Sequence, residues 1–195
     1  MRLLLILAHP VADSFAAAVA ETARATLTAN GHEVDWLDLY GEAFEPCLSA
    51  AEHHAYFREV YDIAPVASHV ARLRAAEGLI LVFPTWWFGF PAMLKGYFDR
   101  VLVPDVAFTH NPAGGIVRGL TNIHSLYALT TTGSPFWLVR FVLGDPVRRV
   151  LKWGIAPMCA KGVRFRMLSL HDMDRASEAK RRRHLEHVRK VMGQI

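Results

Sequence analysis

Trp86, Trp87 and Phe88 stand side by side, after an apolar run at 79–83 and before Pro91. Pro91 opens a helix-type pattern through Leu94, Phe98, Val101 and Leu102. Three consecutive aromatics where the chain leaves a buried strand suit a flat ligand, because open α/β sheets bind ligands at the carboxyl ends of their strands. They equally suit a plug over the strand end or a face buried between two copies. Two further clusters follow other apolar runs. The stretch Ala8-His9-Pro10-Val11-Ala12-Asp13-Ser14-Phe15 puts an imidazole, a hydroxyl and free backbone amides where a helix starts, which is a ready anion site. Ser14 is also a natural helix cap, and His9 taken alone is an ordinary loop histidine. Thr130, Thr131, Thr132, Gly133 and Ser134 bring hydroxyls and backbone donors beside a glycine that permits close approach. There is no GxGxxG and no GK[ST], so neither nucleotide loop of that kind is present. An anion grip, an aromatic wall and a polar loop together are what an isoalloxazine ring with a phosphate tail requires.

The elements that must position these clusters follow from periodicity. Residues 3–8, 33–39, 79–83, 124–130 and 163–170 read as five strands, the second by alternation and the first and third as fully buried runs. Helical patterns cover 12–30, closed by Gly31, then roughly 66–76, 91–103, 136–153 despite Pro146, and 177–195. Residues 41–65 read as irregular or partly helical and contain His53, His54, Tyr56 and Phe57, while 104–122 is turn-rich around Asn111-Pro112 and Gly114-Gly115. Strands alternating with helices predict an α/β domain over 1–195. Its parallel sheet would be doubly wound and flavodoxin-like, in the order 2-1-3-4-5, with helices on both faces. Right-handed crossovers leave few other arrangements. A ligand at the switch point of that sheet touches all three clusters.

Composition sets the class. The chain has 195 residues, 52% of them hydrophobic and 21% charged, which is ordinary for a domain with a sizeable core. The opening MRLLLILAHP is too short an apolar run for a secretory signal, and no segment approaches a membrane span. Cys47 and Cys159 form no framework and have no metal-ligand spacing, and the adjacent His53 and His54 point different ways on a helix or a strand. A cytoplasmic protein with reduced thiols and no bound metal is expected. The net charge of +4 is concentrated in Lys180, Arg181, Arg182 and Arg183, which with the apolar stripe Leu185, Val188 and Met192 read as a solvated helix face rather than a nucleic-acid or membrane contact. Arg148, Arg149 and Lys152 read the same way, with a phosphate-attracting field as the alternative.

The segment 84–101, PTWWFGFPAMLKGYFDRV, resembles the NAD(P)H:quinone oxidoreductases of the DT-diaphorase type. The resemblance extends to Ala8-His9 with Ser14-Phe15, to Asp38-Leu39-Tyr40, to Ala107-Phe108-Thr109 and to Thr131-Thr132-Gly133, and it weakens after Ser134. It implies a flavoenzyme, usually a homodimer whose active site the partner subunit completes, working by ping-pong. NAD(P)H reduces the flavin and leaves, and a small-molecule acceptor then enters the same pocket. By matched position, His9, Ser14 and Phe15 would hold the phosphate-bearing tail. Pro84, Thr85, Trp86, Trp87 and Phe88 would line the ring, with Trp87 and Phe88 flanking the substrate. Thr131, Thr132 and Gly133 would bound the polar edge of the ring, and Phe108 and His110 would cap the pocket.

Two departures stand out. The tyrosine and histidine that family members commonly carry after the Thr-Thr-Gly loop are absent from 134–145, and Ser134 replaces a second glycine. Hydride transfer to a flavin depends on stacking geometry more than on a protein acid or base, so the flavin reading does not rest on those residues. His110 remains a candidate proton donor, against an ordinary surface-loop histidine. Arg140 is either a helix-surface cation or a fixed charge near the flavin or a dinucleotide phosphate. The expected function is flavin-dependent, two-electron reduction of quinones or similar flat acceptors by NAD(P)H. FAD is favoured over FMN because 41–65 is long enough to cover an adenosine tail. The alternative is a flavin- or nucleotide-sensing regulatory subunit, such as those of potassium-efflux systems in this superfamily.

Overall fold

The computed structural model describes residues 1–56 and 61–195, and Phe57 lies outside the described residues. Five strands form one parallel sheet: β1 (Arg2–Leu7), β2 (Glu33–Asp38), β3 (Gly78–Pro84), and, after a small hairpin, β6 (Ser125–Thr131) and β7 (Arg164–Leu170). Their order is β2-β1-β3-β6-β7, which counts as 2-1-3-4-5 along the main sheet, as the sequence predicts. Alternate residues of the central strands feed two cores. Leu4 and Ile6 with Leu79, Leu81 and Phe83 pack on one face, and Leu3, Leu5 and Leu7 with Ile80 and Val82 on the other.

Helices cover both faces. The second core is closed by α1 (Phe15–Ala29) through Val19, Ala20, Ala23 and Leu27, and by α6 (Glu178–Met192) through Val188, Val191 and Met192. The first is closed by α3 (Ala67–Ala75) and α4 (Ala92–Val101), whose Leu94, Tyr97 and Val101 repeat at helical spacing. Ser14 caps α1, its hydroxyl accepting from the Ala17 amide at 3.1 Å, and Gly31 at φ +81° lets the chain turn back into β2.

Three segments refine the sequence reading. The turn-rich stretch holds an antiparallel hairpin, β4 (Phe108–His110) with β5 (Ile116–Arg118), closed by hydrogen bonds between Asn111 and Gly115. Three-residue strands are too short for alternation to register. The helical stretch at 136–153 is two pieces. A wide turn, Leu138–Val142, ends where Gly144 (φ +69°) and Asp145 (φ +53°) are both left-handed, and Pro146 then starts α5 (Pro146–Val150). A second wide turn, Leu151–Ile155, continues it.

The described part of 41–65 folds onto α4. Ser49 and Glu52 form a capping box on α2 (Ala50–Ala55), the Arg100 Nε donates to the Glu52 carboxylate at 2.7 Å in a buried pair, and Phe44 packs 5.6 Å from the Tyr97 ring. Among the described residues, no helix is long and apolar enough to cross a membrane.

Candidate active site

The carboxyl ends of β1, β3, β6 and β7 surround a cleft of about 450 Å³. His9, Phe15, Pro84, Thr85, Trp86, Trp87, Thr131, Thr132 and Gly133 line it, together with Ala16, Met173 and Asp174. One end is built by the start of α1. Ser14 caps the Ala17 amide and its carbonyl accepts from Ala18, which leaves the first-turn amides of Phe15 and Ala16 unpartnered among the described residues. That turn carries no acidic residue. Beside it His9 Nδ1 lies 3.0 Å from the Val11 amide and 3.2 Å from the Val11 carbonyl, which holds the ring against its own loop. Two amides and an imidazole therefore gather where an anion would sit. Ser14 supports this end through its cap and is absent from the cleft lining.

The aromatic wall is a tight reverse turn. The Trp86 amide donates to the Gly89 carbonyl at 3.2 Å and the Gly89 amide returns the bond to Trp86 at 3.0 Å. Both intervening residues are left-handed, Trp87 at φ +51° and Phe88 at φ +58°. A turn of this hand normally carries Asn or Gly, and a bulky aromatic at either position is strained by about 1–2 kcal/mol. The turn splits the three aromatics. Trp86 stands 6.2 Å from the His9 ring and Trp87 rises 98% exposed at the cleft. Phe88 turns instead into a gap behind the cleft, lined by Thr85, Thr132, Asp145, Val147, Ser169 and His171 among others. The sequence reading places Trp87 and Phe88 together beside the substrate; in the structure Trp86 and Trp87 line the cleft, and Phe88 lines the gap behind it.

The polar edge is tied down from two sides. The Thr85 amide and hydroxyl both donate to the Thr131 carbonyl, at 2.7 and 3.0 Å. The Thr132 amide donates to Leu170 and its carbonyl accepts from Met173, both within hydrogen-bond distance. A side chain at position 133 would meet the Asp174 carboxylate at 2.2 Å, so glycine there allows the close approach of the two loops. Met173 and Asp174 were not singled out from sequence. The same strand-end rule points to them, since the run His171-Asp172-Met173-Asp174 follows the fifth strand directly. His171, in the gap beside Phe88, is held below the usual imidazole range by burial, against the opposing pull of Ser134, Asp145 and Asp172. Phe108 and His110, expected to cap the pocket, contact each other at 5.7 Å on β4 and do not line the cleft of their own chain.

Sequence and structure comparisons agree with this architecture. The profile of a family described as having a flavodoxin-like fold matches residues 1–190. The chain belongs to that flavodoxin-like family. It is 34% identical over 172 residues to NAD(P)H dehydrogenase [quinone] 1 of Rattus norvegicus, an alignment covering 79% of this chain and 61% of that protein. An uncharacterized NAD(P)H oxidoreductase of Haemophilus influenzae is 36% identical over 135 residues, 69% of this chain and 65% of its own length. The chain thus spans less than two thirds of these relatives. Among solved structures, Smu.1420 of Streptococcus mutans UA159 superimposes over all of both chains with a TM-score of 0.85 at 30% identity. The NAD(P)H:quinone oxidoreductase of Methanothermobacter marburgensis shares the fold, with a TM-score of 0.83 at 23% identity, over 100% of this chain and 95% of that one.

Proposed function

We propose that this protein is a flavin-dependent NAD(P)H oxidoreductase that passes two electrons to a quinone or a similarly flat acceptor within one cleft. The observation that carries the reading is the Trp86–Gly89 turn. Left-handed backbone at two bulky aromatics, with one indole almost wholly in solvent, has no structural reward and is accounted for by a flat ligand stacked at the cleft. The quinone-dehydrogenase relative supports the acceptor class by its name.

The residues present fit a flavin. The Phe15 and Ala16 amides with the His9 ring would hold its phosphate, Trp86 and Trp87 would border the ring, and Thr131, Thr132 and Gly133 would bound its polar edge. When bound, a flavin supplies the two-electron exchange between nicotinamide and acceptor. The protein's part is to orient both partners in turn at one face and to exclude water, for which Trp87 at the mouth is placed. The described residues of 41–65 pack on α3 and α4 and are absent from the cleft lining, so they lend no support to FAD over FMN.

The protein is further proposed to be cytoplasmic, supported by free thiols at Cys47 and Cys159, and to act as a homodimer in which Phe108 and His110 reach the partner's cleft. The test is the absorbance of the purified protein and the mass of any released cofactor. A flavin spectrum bleached by NAD(P)H and restored by a simple quinone is expected. A colourless protein that takes up neither FMN nor FAD overturns the proposal.

A further inference from the structure

The corner at Gly144 and Asp145 folds the chain so that Arg140 returns beside Arg148, Arg149 and Lys152. These four cations, with Gly144 and Trp153, line a groove of about 420 Å³. Glycine is needed at the corner for its backbone, and a side chain there would also press on the Arg149 guanidinium at 3.2 Å. None of the four cations has a carboxylate within ion-pair distance among the described residues. Four like charges that no carboxylate pairs repel one another, Asp145 in the adjoining depression lying beyond ion-pair distance, and a bound anion relieves that repulsion. The Trp153 ring is 69% exposed at the same place, with the Lys152 ammonium 4.8 Å from its centroid, so an aromatic base has a surface to stack on.

The groove lies beside the same carboxyl-end edge of the sheet as the active cleft. Arg140 and Arg148 are shared with a depression of about 370 Å³ that also holds Asp145, Ser169 and His171. Those last three also line the gap behind Phe88, whose Thr85 and Thr132 line the cleft itself; that gap holds only about 10 Å³, so it is a packed partition between the two and not a channel. A ligand that spanned cleft and groove across the surface would carry a flat redox-active head at one end, and an aromatic base with a multiply charged anion at the other.

We propose that this groove binds the adenosine 2′-phosphate of NADPH and makes the protein select NADPH over NADH. The inference rests on the oxidoreductase reading above. A phosphomonoester carries a charge of about −1.5 to −2 near neutral pH and offers three acceptor oxygens to guanidinium forks, whereas NADH presents a neutral hydroxyl at the same carbon.

Calorimetric titration of the flavin-loaded protein with 2′,5′-ADP and with 5′-AMP reads the groove without turnover. The 2′-phosphate should tighten binding by about tenfold or more. Arg149 and Lys152 are exposed and free of the Phe165 stacking that holds Arg148, so the double variant R149E/K152E removes charge without removing core packing. In that variant the 2′,5′-ADP advantage should vanish, and the ratio of kcat/KM for NADPH over NADH should fall toward one through KM for NADPH. Equal binding of 2′,5′-ADP and 5′-AMP, or an unchanged nucleotide ratio in the variant, overturns the proposal. So does inorganic phosphate binding as tightly as 2′,5′-ADP, which would make this a free-phosphate site. Co-sedimentation with phosphatidylglycerol vesicles without 2′,5′-ADP binding likewise overturns it, in favour of lipid headgroups. Selective 2′,5′-ADP binding by a protein that neither nucleotide reduces keeps the phosphate site and overturns the oxidoreductase reading instead.

Discussion

At position 87 the backbone is left-handed, at φ +51°, and the indole is 98% exposed, so neither conformation nor burial favours tryptophan. Trp87→Gly should therefore raise stability by about 1 kcal/mol, because the strain is relieved and no packing is lost. The same change should lower kcat/KM for nicotinamide and acceptor, since the stacking surface is gone. Urea denaturation and steady-state kinetics check the two halves. A destabilised variant would mean the turn is not strained, and unaltered kinetics would mean the indole does not border the ligand. Ser14 carries the opposite lesson. Its hydroxyl serves the α1 cap, and its contribution to an anion is to leave the neighbouring amides of Phe15 and Ala16 unpartnered at the cleft.

At the level of elements, the hairpin of β4 and β5 shows how an expectation for single residues depends on where their element goes. Phe108 and His110 do not line the cleft of their own chain, while Ile116 and Val117 on the paired strand are exposed. Such a projecting apolar element is suited to contact with a second copy. Sedimentation equilibrium of the flavin-loaded protein should report twice the chain mass, and Ile116→Lys with Val117→Lys should shift it toward monomer and lower acceptor turnover. A protein that is monomeric at every concentration would leave His110 without a cleft to serve. The segment at 41–65 is the second instance. Its length suggested a cover for an adenosine, but Arg100 meets Glu52 and Phe44 meets Tyr97, so its described part is spent on covering α4.

For the whole molecule, the layer made by α1 and α6 holds a buried group that couples stability to acid pH. His184 on α6 is buried near Phe15, its Nε2 has no partner among the described residues, and burial, with His187 adding to it, pushes its pKa down from 6.5 to about 4. The folded form thus keeps this imidazole neutral where the unfolded chain would protonate it. Its contribution to stability is present above pH 6.5 and is lost as pH falls toward 4, amounting to about 2–3 kcal/mol across that window. His184→Leu should flatten that part of the stability profile, measured as denaturant midpoints at pH 7 and pH 4.5. An equal acid loss in the variant and the parent would assign the sensitivity to other groups.

The five-stranded order, the helix pairs and most of the cleft lining were legible in the sequence because their signals are local and repeated. Buried strands read as continuous apolar runs, as at 79–83. Helix starts carry Ser14 and Pro91, and a parallel sheet of this connectivity gathers its strand ends at one edge whatever the side chains are. What tertiary structure alone decided concerns direction and partnership. Whether Phe88 sides with Trp87 or behind it depends on two left-handed residues that aromatic composition does not announce. The entry of Met173 and Asp174 depends on Gly133 letting a distant loop approach. The convergence of Arg140 with Arg148, Arg149 and Lys152 depends on the corner at Gly144–Asp145. Each is set by a backbone hand or a long-range contact, which residue type and spacing do not encode.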